Sequence, residues 1–317
     1  MPVTNLTNQI MKVVQYKAYG NSDVIELADV PTPEIRSENQ VLIQVKAASV
    51  NPLDIKIRNG IMQKIRPVSL PFIPGADVAG IVMATGSKVK HFKAGDEVIA
   101  VCRAGGYAGY TLVNESDVAL KPLNIMFEEA ASLVVNIGTA QSVLFDEAKL
   151  TKGQRVLIQG AAGATGATMV QMAKNAGAYV IATASGPGVA LVRSLGADEV
   201  VDYKSQDVAQ LVKDIDLVVD CAGGESQHKL FEVLKPGGKL FSIVIPPSAD
   251  LAEKYQVEAR FISSGISARS LSDGLDLVKK GKLRPIVAKT FRLEEAAQAQ
   301  DLLSAGGVNG KIVLVVV

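Results

Sequence analysis

The 317-residue chain has no tryptophan, only 5% aromatic residues, two cysteines and two histidines. Cys102 and Cys221 lie far apart in sequence and form no CxxC pair, so neither a disulfide framework nor a structural zinc site is expected, and a reducing compartment fits. His91 and His228 each stand without another soft ligand beside them; the first reads as a surface-loop residue and the second as a helix residue. Charge of one sign is also missing. With 33 basic against 32 acidic residues the net charge is +1, which implies no nucleic-acid or acidic-membrane partner. No apolar run approaches the roughly 18 residues of a membrane span. Met1 to Met11 is polar and lacks the apolar centre of a secretory signal, so a soluble, cytoplasmic protein is expected.

What is present centres on Arg155 to Gly177. Val156, Leu157 and Ile158 form the short apolar run of a strand buried on both faces; Val170, Met172, Ala173 and Ala176 recur at helical spacing. Between them stands Gly160-Ala161-Ala162-Gly163-Ala164-Thr165-Gly166, a GxxGxxG turn. The spacing predicts a dinucleotide site. Gly160 makes the sharp turn, Gly163 leaves room for a pyrophosphate, and Gly166 lets the helix pack closely, while the phosphates meet free amides at the positive end of the helix. A glycine triplet alone would serve equally as a flexible loop; the strand before it and the helix after it decide the reading.

The next strand, Tyr179 to Ala184, points to the cofactor. An NAD site would carry Asp or Glu there, about 20 residues beyond the glycines. This chain has Ala184-Ser185-Gly186-Pro187-Gly188, a hydroxyl and open backbone that can receive a 2′-phosphate, with Tyr203, Lys204 and Arg193 as further partners. NADPH is therefore the expected cofactor, against the plainer alternative that Ser185 and Tyr203 are ordinary surface groups. Cys221-Ala222-Gly223 and Ile243-Val244-Ile245 follow two later strands, at the carboxyl edge where doubly wound sheets touch ligands. Cys221 reads equally as a small buried hydrophobe. Lys311 either reaches the nicotinamide half or a phosphate, or begins a solvent-facing strand end.

Along the chain, residues 1 to about 10 read as a loose extension. Strands are expected near Met11 to Tyr16, Val24 to Leu27, Gln40 to Ala48 and Tyr110 to Val113, punctuated by Pro31-Thr32-Pro33 and by glycine turns. They suggest a partly closed antiparallel barrel. From Phe127 the period changes to about 3.6, with Ala131, Val134, Ile137, Val143 and Leu144 on one face. Strands and helices then alternate: a helix near Val189 to Leu195, strands at Glu199 to Asp202 and Leu217 to Cys221, a helix near Ser226 to Leu234 stopped by Pro236-Gly237-Gly238, and strands at Lys239 to Ile245 and Arg260 to Gly265. The expected class is α/β, with a doubly wound parallel sheet at 125–266 and a barrel at 1–124 completed by 267–317. A cleft between the two is expected to hold the nicotinamide. The strands at Phe241 to Ile245 and Arg260 to Gly265 look exposed enough to form an edge between subunits.

In this order, Asn51-Pro52-Leu53-Asp54, Pro74-Gly75-Ala76-Asp77-Val78-Ala79-Gly80, Phe92 to Val98, Gly138-Thr139-Ala140, the glycine turn, Gly196-Ala197-Asp198 and Gly310-Lys311-Ile312-Val313 resemble the medium-chain dehydrogenase/reductase superfamily. Within it, the chain resembles the zinc-free quinone oxidoreductase and enone reductase branch. The resemblance spans nearly the whole chain and implies a GroES-like barrel, a Rossmann domain, NADPH as hydride donor, and a homodimer or homotetramer. Zinc relatives carry Cys where this chain has Asn51 and Gly-His-Glu where it has Gly75-Ala76-Asp77, so no metal is expected. A substrate reduced without a Lewis acid must already accept hydride well, as a quinone or enone does. By resemblance Asn51 lies near the reacting carbonyl and Thr139 beside the nicotinamide; Asn51 could instead be a turn residue, and Thr139 a helix residue bonding its own backbone. Lys56 stands where the best-known quinone reductases have Tyr and plant-type enone reductases often have Lys, which leans the reading toward enones. No proton donor stands out. No tyrosine has a lysine four positions on, which removes the short-chain dehydrogenase alternative. The other alternative is a cofactor-binding redox sensor or structural protein of this fold without turnover.

Overall fold

The computed structural model describes residues 9–263, 265–266 and 268–317. The expected extension at 1–8 and Ser264 of the expected Arg260–Gly265 strand lie outside them. The chain opens with β1 (Ile10–Tyr16), β2 (Ile25–Pro31) and β3 (Gln40–Ser49), then α1 (Pro52–Arg58), β4 (Asp77–Thr85), β5 (Glu97–Val101), β6 (Tyr110–Asn114), β7 (Val118–Leu120) and α2 (Phe127–Ala131). Next come α3 (Val134–Ala140), a π-helical stretch at Gln141–Glu147, β8 (Arg155–Gln159), α4 (Ala164–Asn175), β9 (Tyr179–Ala184), α5 (Pro187–Ser194) and β10 (Glu199–Asp202). They are followed by α6 (Val208–Leu211), β11 (Ile215–Asp220), α7 (Ser226–Lys229), β12 (Leu234–Ser242), α8 (Ala249–Tyr255), β13 (Glu258–Phe261) and α9 (Ala268–Lys279). The end returns through β14 (Val287–Arg292), α10 (Ala296–Ala305) and β15 (Lys311–Val315).

Two compact units result. The first holds the chain up to Val135, the start of α9 and Val287–Val317; the second holds Asn136–Ile266 and Asp273–Ile286. The sequence reading assigns 125–135 to the second unit and all of 267–317 to the first. The differences have local causes: α2 packs on β3 and β4, while Gln171 on α4 bonds the carbonyl of Arg284 and Asn175 that of Lys282.

The first unit is mostly antiparallel. Its larger sheet runs β14-β15-β3-β4-β5-β7, with β6 also on β3, and β1–β2 form a separate hairpin joined by the bridges Val13 to Ala108 and Tyr16 to Phe72. Inward residues of β3, β4 and β5 meet Ile312 and Leu314 of β15 and Ala299 of α10 in one apolar core. The second unit is a parallel sheet in the order β10-β9-β8-β11-β12-β13. Numbered from β8 this is 3-2-1-4-5-6, whose strand order reverses between β8 and β11. Leu157, Ile181, Val218 and Leu240 line one side of it against Leu230 and Phe231.

Two expectations change here. The helix near Ser226 to Leu234 is cut short: a 3-10 turn follows α7, and β12 already begins at Leu234. Pairing with β11 jumps from Leu234 to Lys239, so Pro236-Gly237-Gly238 bulge out of the ladder instead of ending a helix. Phe241 is fully buried on β12, which is paired on both sides; of these two strands it is β13 that lies at an edge of the sheet, where Phe261 is exposed. Among the described residues no helix is long and apolar enough to cross a membrane.

Truncating Leu157→Ala at the centre of the parallel sheet should cost about 2–5 kcal/mol, whereas Phe261→Ala should stay within about 0.5. Denaturant midpoints of the two variants check this; equal shifts would contradict the assigned core.

Candidate functional site

In the second unit, β8 ends at Gln159 and the chain turns at Gly160 with φ +71°. A Cβ on Gly166 would come within 2.4 Å of the Gly160 carbonyl oxygen and 2.7 Å of Ala161 Cα, so α4 packs against the turn itself, closer than any side chain allows. The amides of Gly160 and Ala161 are tied to Thr183 of β9, through its Oγ1 at 3.3 Å and its carbonyl at 3.2 Å. Gly163, Ala164 and Thr165 are half-exposed; Ala162 is buried, and Ala161 is fully buried and presents no ligand surface. Thr165 Oγ1 donates to Asn136 Oδ1 at 2.8 Å, which fixes α3 beside the turn and with it the buried Thr139.

The other expected nucleotide contacts lie along the same carboxyl edge. Ala184 is buried at the end of β9, and Ser185 Oγ donates to Tyr203 OH at 2.9 Å, with Tyr203 exposed. Asp202, the acid just before Tyr203 in the chain, caps its own turn: its Oδ1 accepts from Lys204 N at 3.1 Å. Lys204 and Arg193 are exposed. Beyond β11, Cys221 is half-buried with its sulfur 3.8 Å from Met169 Sδ; burial pushes its thiol up, and the Asp220 carboxylate adds to the rise, so it is not a reactive thiolate. Ala222 is exposed, and Ile243 and Val244 are half-exposed.

The first unit brings together a second group. Asn51 precedes α1, and its amide N–H donates to Asp54 Oδ2 at 2.8 Å, a backward cap that satisfies one orphan donor. This leaves the Asn51 side chain free of the cap. Its Oδ1 accepts from Lys311 Nζ, and its Nδ2 donates to Asp77 Oδ2 at 3.0 Å. Ser49 Oγ also donates to that Asp77 oxygen, and Tyr107 OH donates to Asp54 Oδ2 at 3.0 Å. Asn51, Asp54, Asp77, Ser49 and Lys311 are all buried. Lys311 is thus buried and turned inward, which rules out the alternative of a solvent-facing strand end. Lys56 is half-buried on α1. His91 is exposed, its Nδ1 3.0 Å from Glu115, and His228 is exposed on α7.

Burial drives the titration of this group. It raises Asp77 against the opposing effects of Lys311, Ser49 and Asn51, and lowers Lys311 against those of Asp77 and Asp54. Asp54 is pushed up to about 6 by burial, which outweighs its bonds from Asn51 and Tyr107. The sequence reading missed Ser49, Asp54, Asp77 and Tyr107 as site residues. The Asn-x-x-Asp spacing at 51–54 was the available signal for Asp54; nothing local marks the others. Among the described residues no three His, Cys, Asp or Glu side chains form a metal site.

Residues 37–124 match the model of the alcohol dehydrogenase GroES-like domain, and residues 195–314 that of the zinc-binding dehydrogenase. The chloroplast envelope quinone oxidoreductase homolog of Arabidopsis thaliana is 34% identical over 98% of this chain and 99% of its own. The chloroplastic NADPH-dependent alkenal/one oxidoreductase of the same plant is 36% identical over 96% of this chain and 79% of its own. The quinone oxidoreductase structure from Coxiella burnetii superposes with a TM-score of 0.88 at 33% identity, covering 98% of this chain and all of that one. The chain belongs to the medium-chain dehydrogenase/reductase superfamily, in its quinone oxidoreductase and enone reductase branch.

Because the folded state raises Asp54, this acid favours folding most below about pH 4, and that contribution is lost as pH rises through about 6. Its charged form then stands against Asp77, with Lys311 opposite. Asp54→Asn cannot ionise, so its stability relative to wild type should climb by up to about 3 kcal/mol between roughly pH 4 and pH 7. A difference that stays flat across that window, by chemical denaturation, would refute the assignment.

Proposed function

We propose that this superfamily member is an NADPH-dependent oxidoreductase that works without zinc and delivers hydride to a quinone or an α,β-unsaturated carbonyl compound. The observation that carries the reading is the Ser185–Tyr203 hydroxyl pair at the end of β9 and β10, where an NAD site would place an acid. The names of the alkenal/one and quinone oxidoreductase relatives support it.

The residues fit the nucleotide. Gly160 and Gly166 bring the start of α4 against the turn, and its first-turn amides, which have no intrahelical acceptor, face a diphosphate with the helix dipole behind them. Gly163, Ala164 and Thr165 offer the exposed backbone there. Ser185 and Tyr203 take the 2′-phosphate, with Lys204 and Arg193 exposed nearby. Thr139, Ala222, Ile243 and Val244 bound the nicotinamide half. When bound, the reduced nicotinamide supplies the hydride.

Zinc does not fit the residues. Asn51 and Ala76 replace a thiolate and an imidazole, and the Lys311 ammonium already sits against Asn51 Oδ1. The polarising group is then Asn51 itself. Its Nδ2 donates closely to Asp77 and makes two longer bonds, at 3.4 Å, to the carbonyl and hydroxyl of Ser49; the proton held by these longer bonds is the one that could turn to an oxyanion on the substrate. Lys311 on Oδ1 polarises the amide and strengthens that donation. Lys56, half-buried on the same helix, borders the substrate and favours enones. The exposed β13 edge supports assembly as a homodimer or homotetramer.

NADPH oxidation, followed with a panel of 1,4-quinones and open-chain enones, tests the reading. Turnover should survive chelator and prefer NADPH, and the better acceptor names the substrate class. Ser185→Asp should shift the kcat/KM ratio of NADPH to NADH at least about tenfold toward NADH, by repelling the 2′-phosphate. Saturable NADPH binding without turnover on any acceptor would instead favour a sensor or structural role, and chelator-sensitive turnover would overturn the zinc-free mechanism.

A further inference from the structure

We propose that Asp220, which no part of the reaction above requires, is the positioning residue for the nicotinamide half of the nucleotide: one buried carboxylate sets both loops that border it. The inference rests on the NADPH reading. In the sheet order β10-β9-β8-β11-β12-β13 the glycine turn and the Ser185–Tyr203 pair belong to the β8, β9 and β10 side, which assigns the adenosine half to that side. The other half of a dinucleotide extends past the reversal, over the ends of β11 and β12. The loops there start at Cys221 and Ile243.

Asp220 is the last residue of β11 and is fully buried, so it touches no ligand itself. Its Oδ1 accepts from the backbone amides of Ala222 at 3.0 Å and Gly223 at 2.8 Å, which folds the first loop back over the strand end. Its Oδ2 accepts from Gln227 Nε2 at 2.8 Å and from Ser242 Oγ at 3.0 Å. Ser242 gives its single proton to Asp220, and its lone pairs accept from the amides of Val244 and Ile245, each at 3.3 Å. The second loop is thereby tied to the same carboxylate through one hydroxyl. Gln227 adds a brace, since its Nε2 also lies 3.4 Å from the Ile245 carbonyl.

All four bonded donors are neutral. A carboxylate buried among neutral donors costs desolvation that an apolar side chain at a strand end would avoid. What it provides is two acceptor edges, one for each loop. An asparagine keeps an acceptor for one loop and presents N–H groups to the donors of the other.

The experiment uses the full-length protein, with NADPH and adenosine 2′,5′-bisphosphate as calorimetric probes and a 1,4-quinone as acceptor. Asp220→Asn should weaken NADPH about tenfold and lower kcat, while adenosine 2′,5′-bisphosphate, which lacks the nicotinamide half, binds as to wild type. Ser242→Ala, which frees only the second loop, should show a smaller loss of the same kind. Equal weakening of both probes would make Asp220 a general support of the fold and overturn the proposal, as would unchanged NADPH affinity and kcat. Should Asp220→Asn fail to fold, unchanged NADPH affinity in Ser242→Ala overturns it alone. Wild-type protein that binds neither probe would sink the NADPH reading first, a result separable from all of these.

Discussion

The first unit depends on the cost of placing charge out of water. Asp54 and Asp77 are buried, and one cation, Lys311, answers them from the far end of the chain while its Nζ rests on Asn51. Removing either side of such an arrangement strands the other, which is why buried charges fix structure more than they stabilise it. Here the arrangement fixes α1 to β4 and to β15. It also fixes the orientation of the Asn51 amide, since a carboxamide held by an ammonium at its oxygen and a carboxylate at its nitrogen cannot flip. Precision at this residue follows from electrostatics rather than from shape.

The second unit manages buried acids differently. Asp220 is held by four neutral donors, two of them backbone amides. Neutral donors give direction without adding charge, which would suit the two loops in their proposed place beside a nucleotide that carries several negative groups. The glycine turn follows the same economy: backbone amides and a helix terminus, with no side chain interposed between Gly160 and Gly166.

Much of this was legible from residue order. The parallel sheet was readable because its strands are short apolar runs set between glycine turns, and the strand ends near Ala184 and Asp202 fell where the pattern placed them. The antiparallel unit was readable as strands and turns but not as partners, because β15 inserts between β14 and β3 and no local signal announces it. The same limit hid the polar cluster. Asn51 and Lys311 stand 260 positions apart, and Ser49, Asp77 and Tyr107 carry no spacing that links them. Where the reading failed on elements, a tertiary requirement overrode a local one: Pro236-Gly237-Gly238 reads as a stop, yet β11 and β12 pair across it as a bulge. For Lys311 a cofactor contact and a solvent-facing strand end both stood open, because its actual partner, Asn51, is too distant in the chain to be named from sequence.

The placement of β15 has a consequence for how the protein is made. The ribosome delivers Asp54 and Asp77 early and Lys311 near the end, after the whole parallel sheet has emerged. The second unit has its six strands in one continuous run and can consolidate during synthesis. The first must wait, its acids still hydrated, because the strand that fills the gap between β14 and β3 also brings the cation. A chaperone that binds nascent chains would therefore meet an unfinished barrel beside a finished nucleotide fold.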